Sequence, residues 1–143
     1  MAITTLLFER AGLGAAAVLG LKRTMEDVLA VIRERGLDDD PLVRQRIADL
    51  QIGIEAMRLG SLRALTQTMK TGIPGPEGSG SKLHWSEQNQ RLTKLAMEIL
   101  GGEDDGYWGY QQLRSRGNTI EAGTSEILRN IIAERVLGLP RSR

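Results

Sequence analysis

The chain has no cysteine among its 143 residues. Disulfides, thiolate metal sites and a cysteine nucleophile are therefore excluded. A single histidine, His84, is too few for a histidine-rich metal site, and no metal is expected. Aromatic residues make up only 3% of the chain, and Leu, Ile, Ala, Arg and Glu are common, a balance that favours helices over strands. Neither sign of charge dominates: 19 Lys and Arg face 18 Asp and Glu, for a formal net charge of +1. That balance removes the electrostatic argument for nucleic acid or an anionic membrane as the main partner. No apolar run approaches the ~20 residues of a spanning helix, and the N-terminus lacks a signal-peptide pattern. A cytoplasmic protein is expected, with no nucleic-acid or membrane partner.

The length fits one domain, residues 1–143, large enough to bury a core. From Ala2 to about Arg35 no proline intervenes, so a long first helix is expected despite Gly12, Gly14 and Gly20, each costing roughly 1 kcal/mol against alanine. Small residues at Gly12, Ala15, Ala16 and Gly20 suit close approach of another helix or a ligand. "GLDDDP", residues 36–41, stops this helix: Gly36 fits a C-terminal cap, Asp40 an N-cap and Pro41 the first helical position. Val43, Ile47, Leu50, Ile54 and Met57 then recur at four-three-four-three spacing, the stripe of a bundle helix. "TGIPGPEGSGS", residues 71–81, reads as a loop and as the most mobile stretch. A third helix is expected from about Lys82 to Leu100, with Trp85, Leu92, Leu95 and Ile99 on its buried side. "GGEDDG", residues 101–106, ends it. A short helix through Gln111 to Ser115 follows. The last helix begins at Thr124 and presents Ile127, Leu128, Ile131, Ile132 and Leu137, with Gly138 and Pro140 closing it. Nothing reads as a strand. The pattern predicts an all-α, up-and-down bundle of four or five helices.

Three features could carry chemistry. Glu9-Arg10 lies in an otherwise apolar and small-residue stretch; a glutamate buried there would have its pKa raised and could serve as a base, whereas an exposed one would only pair with its neighbours. Gly101-Gly102 could let a flat ligand approach the backbone, or simply stop a helix. In "TIEAGTSEILRN", residues 119–130, Thr124 suits an N-cap and Glu126 suits the first helical turn. The same turn could hold an anion, and Glu121 remains unexplained by capping. His84 beside Trp85 reads as packing.

The stretch "RSRGNTIEAGTSEILRNIIAERVLGLPR" resembles the C-terminal signature of the flavin-dependent acyl-CoA dehydrogenases. "TTLLFERAGLG", "DPLVRQRIADLQIGIEAMRL" and "HWSEQNQRLTKLAMEILGG" resemble further family segments and fall in family order. The resemblance covers nearly the whole chain. It implies the C-terminal helical domain of a longer protein, a fragment without that family's N-terminal helical and middle β domains. The implied reaction is α,β-dehydrogenation of an acyl-CoA thioester: a carboxylate takes the α proton, and the β hydrogen leaves as hydride to FAD.

In many members the base directly precedes the Gly-Thr of the final turn, where this chain has Ala122. Others carry it in a Glu-Arg pair on the first helix of this domain. The resemblance therefore implies Glu9 as base, with Glu121 as runner-up and Arg10 near the substrate thioester or its CoA portion. Gly123, Thr124 and Glu126 match the turn that touches the flavin of the same subunit. Arg44 and Gln45, with Glu98, Ile99, Leu100, Gly101 and Gly102, match segments that reach a neighbour's flavin. Glu98 and Glu126 stand where better-known mammalian members have Gln, and "RERGLDDD" offers no counterpart to a neighbour-contacting Arg…Phe-Gly segment. An electron acceptor such as an electron-transfer flavoprotein is implied, as is a homo- or hetero-oligomer, dimer or tetramer. The isolated fragment is expected to be inactive and not to hold FAD tightly. Alternatives are a non-catalytic partner subunit or oligomerisation module of a heteromeric dehydrogenase, and a related flavin oxidase or nitroalkane enzyme.

Overall fold

The junction at residues 36–41 shows how local residues set the architecture. Gly36 adopts a left-handed backbone, φ 63°, and the amides of Gly36 and Leu37 bond back to the carbonyls of Arg33 and Ile32, each at 3.0 Å. This paired cap closes the first helix. Four residues later the Asp40 carboxylate accepts from the amides of Leu42 and Val43, both at 2.9 Å. Pro41 opens the next helix without wasting an amide.

The computed structural model describes residues 2–104 and 106–141, with side chains from residue 14 onward. Its helices are α1 (Ala2–Glu34), α2 (Pro41–Thr71), α3 (Gly78–Leu100), α4 (Tyr107–Asn118) and α5 (Ser125–Ile131), followed by a wide π turn, Ile132–Val136. No strand occurs among the described residues. Cross-helix pairs fix the directions. Lys22 meets Glu55 and a Cβ on Gly14 would touch Ser61, so α1 and α2 run antiparallel. Asp49 pairs with Arg91 and Arg46 with Glu98, reversing direction again in α3. Gln90 bonds the Ser115 carbonyl and Thr93 the Gln112 side chain, so α4 descends. Glu87 pairs with Arg129, and Lys82 reaches Gly123, so α5 ascends beside α3. The bundle is up-and-down, with α3 touching every other helix.

The core lies between α1, α2 and one side of α3. Leu21, Met25, Val28 and Ile32 pack with Leu50, Ile54, Met57, Leu92, Leu95 and Ala96, all buried. Each fully buried Leu or Ile contributes roughly 1.5–3 kcal/mol. Val43 and Ile47 extend the α2 stripe as half-buried positions, and Trp85 and Ile99 are likewise half-buried on α3. Where α2 and α3 cross, the Gly53 carbonyl accepts a 2.8 Å bond from His84 Nε2, and a Cβ at Gly53 would collide with the Gln88 amide. His84 is thus a packing residue.

Three elements differ from the sequence expectation. The loop is shorter than residues 71–81, because α3 starts at Gly78. The Pro76 and Glu77 carbonyls accept amides from Ser79, Gly80 and Ser81, and Ser79 and Lys82 are buried. Burial here overrides the poor helix propensity of glycine and serine. Helix α4 spans Tyr107–Asn118 instead of only 111–115, since Asp104 accepts from the amides of Trp108 and Gly109 at its start. The last helix does begin at the Thr124 cap, but only Leu128 of its expected apolar face is buried. Ile127 and Leu137 stay exposed: α5 packs chiefly on α3 through Leu128, and the π turn rotates Leu137 out of the α-helical stripe.

Candidate functional site

The turn between α4 and α5 is held by side chains of α3 as well as by its own backbone. Ala122 has φ 55° and Gly123 φ 108°. A left-handed alanine is strained by about 1–2 kcal/mol, so the surroundings must hold it. They do so from α3. Lys82 is 1% exposed, and its Nζ donates to the carbonyl of Asn118 at 2.6 Å and of Gly123 at 2.9 Å. Asn89 Nδ2 donates to Asn118 Oδ1 at 2.9 Å, and Gln90 Nε2 donates to Thr119 Oγ1 at 3.2 Å as well as to the Ser115 carbonyl. The Ser125 amide closes the turn on the Thr119 carbonyl at 3.1 Å. Thr124 Oγ1 then accepts from the Ile127 amide at 3.4 Å.

Glu121 belongs to this network. Its carboxylate accepts from Asn118 Nδ2 at 2.6 Å and from Arg114 at 3.1 Å to each oxygen. The Asn118 bond, then the Arg114 bonds and charge, then the Lys82 charge, hold its pKa below the usual carboxylate value. Such a carboxylate is committed to its ionised form and its partners. Glu126 is also lowered, by its own backbone amide and by Thr124.

The second group of sequence candidates gathers at the opposite end of α3. Eighteen residues separate Lys82 from Leu100, about 27 Å at 1.5 Å per residue. At that end Glu98 is bound by Arg46 and Lys94, and the Arg46 bond, aided by the charges of both partners, lowers its pKa. Its negative charge is therefore offset. Gly101 caps α3 with φ 60°, and Gly102 follows at φ 103°; a Cβ on either would meet nothing within 4 Å. Arg35 ties this end to α1 through Glu103. Arg44 and Gln45 line a groove of about 640 Å³ together with Arg33 and the apolar Leu29, Ile32 and Val43. With two arginines and one acidic residue, Asp38, at its edge, this apolar groove is compatible with a flat, phosphate-bearing nucleotide. The structure thus brings Arg44-Gln45 and 98–102 to one end, and 123–126 to the other.

Glu9 and Arg10 lie in the helical run of α1, but their side chains fall outside the described residues. Helices α1 and α3 start at the same end of the bundle, where Gly14, Ala15, Gly78 and Ser81 line a second groove of about 440 Å³. The backbone of Glu9 lies five residues before Gly14, about 7.5 Å along α1. No cluster of three or more potential metal ligands occurs among the described residues.

Lys82 is the residue that sequence reading missed. Its signal was present as a polar stripe: Ser79, Lys82, Ser86, Asn89 and Thr93 recur at three-four-three-four spacing on α3, and four of the five are almost wholly buried. A search for apolar periodicity alone passes over it.

Comparison with known proteins agrees with the resemblance read from the motifs. The family model described as "Acyl-CoA dehydrogenase, C-terminal domain" matches residues 1–137. Acyl-CoA dehydrogenase IpdE1 of Mycolicibacterium smegmatis is 38% identical across 99% of this chain and 36% of its own length. The Mycobacterium tuberculosis protein of the same name is 37% identical, over 99% of this chain and 38% of its own. The solved structure of the Tcur3481-Tcur3483 steroid ACAD superposes with a TM-score of 0.78 at 30% identity, covering 97% of this chain and 39% of that one. The chain thus spans a little over a third of the length of the curated relatives it matches.

Proposed function

The chain belongs to the acyl-CoA dehydrogenase family as a C-terminal domain, and on that premise we propose that it serves α,β-dehydrogenation of an acyl-CoA thioester within a longer protein. Glu9 is the base that accepts the α proton, and Arg10 lies beside the thioester or the CoA portion. FAD would supply the acceptor for the β hydrogen, which leaves as hydride. Gly123, Thr124 and Glu126 contact the flavin of the same subunit. Arg44, Gln45 and residues 98–102 contact that of a neighbour. The separation of about 27 Å along α3 supports assigning the two groups to different flavins.

The observation that carries the choice of base is the environment of Glu121. Asn118 and Arg114 hold its carboxylate ionised and occupied, and Ala122 beside it has no proton-accepting group. A general base needs a pKa near the working pH and a free lone pair facing its proton. Glu121 fits these needs poorly, with its pKa lowered and three hydrogen bonds on its carboxylate, which favours Glu9. In the whole polypeptide loaded with FAD, Glu9→Gln should cut turnover by roughly 10²–10⁴-fold, the range for loss of a general base. Glu121→Gln should cost little. The reverse pattern would transfer the base to Glu121.

Ala122 also favours a second reading, in which the chain is the non-catalytic member of a heteromeric enzyme. The solved relative carries a double name, Tcur3481-Tcur3483, and is a steroid ACAD. By analogy the substrate class is a bulky, steroid-derived acyl-CoA and the assembly pairs unlike subunits. Turnover of such a thioester by the whole polypeptide alone, with an electron acceptor, would support the catalytic reading. Activity that appears only with a second subunit and survives Glu9→Gln would support the other.

A further inference from the structure

We infer that Lys82 is a positioning residue that sets the outward face of the 118–124 turn, and so the seat of the flavin. This rests on the reading that the turn contacts FAD. Two carbonyls five residues apart, those of Asn118 and Gly123, converge on one Nζ. Without a donor between them, a buried and a part-buried acceptor would face each other unsatisfied, which a folded chain avoids.

Peptide planarity turns this anchor into orientation. In a trans peptide the carbonyl of one residue and the amide of the next point opposite ways, and no peptide among the described residues is cis. Drawing the Gly123 carbonyl inward onto Lys82 therefore directs the Thr124 amide away from α3, while the Thr119 amide stays bonded to the Gly117 carbonyl at the end of α4. The left-handed angles of Ala122 and Gly123 are the conformation that lets both carbonyls reach the same Nζ. Asn118 adds a side-chain tie to Glu121 and accepts another from Asn89. The turn is thus pulled from one side by α3 and presents the Thr124 amide on the other, its amides at Ile120, Glu121 and Ser125 being bonded within the chain.

The test uses the whole polypeptide with FAD as the probe. Lys82→Met keeps the length and apolar stem and removes the donor. It should weaken FAD binding roughly 10- to 100-fold, by analogy with the loss of a partner that orients a metal ligand. It should also shift the visible flavin absorption and lower kcat with the acyl-CoA KM unchanged. Ser86→Ala removes an equally buried polar group that bonds within α3; it should leave affinity and spectrum as in the parent protein. An identical loss of affinity in Ser86→Ala would reduce Lys82 to general stability and overturn the inference. Thr124→Val separates the layers. If it weakens FAD binding while Lys82→Met does not, the turn still contacts flavin and only the role of Lys82 fails. If neither variant changes FAD binding, the reading of the turn fails and the inference falls with it. Should Lys82→Met not fold, Lys82→Gln brings a side chain one bond shorter, which cannot hold both carbonyls at their present distances; unchanged FAD affinity in that variant would overturn the role of the paired bonds, and weakened affinity would uphold it.

Discussion

The two sides of α3 are built from opposite materials. Toward α1 and α2 it presents Leu92, Leu95 and Ala96, each fully buried among aliphatic neighbours. Toward α4 and the following turn it presents Lys82, Asn89, Gln90 and Thr93, each bonded to a named polar partner. Apolar packing is non-directional and tolerates small slips, so it suits the part of the bundle that only has to hold together. A hydrogen-bonded interface has one satisfied arrangement and penalises every other, so it suits the part that must hold a strained turn in place. The difference separates stability from precision along a single helix.

The largest test strikes the apolar side. Leu92→Ala removes a side chain that is 0% exposed and should cost about 2–5 kcal/mol of unfolding free energy, read by urea denaturation. A loss under about 1 kcal/mol would mean that this side is no firmer than a surface. Next comes Thr93→Val on the polar side. Thr93 Oγ1 lies 2.6 Å from Gln112 Oε1 and 3.0 Å from the Asn89 carbonyl. Its removal leaves the Gln112 oxygen short of a donor and should cost about 1–3 kcal/mol. If it costs nothing, the polar side is not specified by its bonds and the contrast collapses.

What is legible in the sequence follows the same division. The apolar stripe of α2 and the Gly36 and Asp40-Pro41 caps can be read from residue type and spacing, because their physics is local and periodic. The first turn of α3 cannot. Gly78, Ser79 and Gly80 look like loop until their burial against the rest of the bundle is known. The end of the chain misleads for a related reason: Ile127 and Leu137 are apolar by residue type, yet the sparse packing of α5 leaves the first exposed and the π turn the second. At the candidate site, Gly123, Thr124, Glu121 and Ala122 are visible through motif resemblance. Lys82 is not: its local signature is only the polar stripe of α3, and the two carbonyls that give it a role lie 36 and 41 residues away.

The smallest effect probes how the polar side depends on charge. Asn118 and Arg114 hold the Glu121 pKa below its ordinary 4.5 in the folded chain. A carboxylate with a depressed folded pKa stabilises the fold above the unfolded pKa and loses that contribution as pH falls through the folded value. The Glu121 side chain is 45% exposed, so solvent screens the pair and the contribution is slight. Glu121→Gln keeps a carbonyl that can accept from Asn118 and Arg114 but removes the titrating charge. Unfolding free energy measured from about pH 6 down to pH 3 should therefore fall less steeply in Glu121→Gln than in the parent chain. The offset between the curves should be confined to the upper end of that range. Parallel curves would mean that Glu121 holds the turn as a neutral acceptor would, and that the polar side of α3 draws its precision from geometry alone.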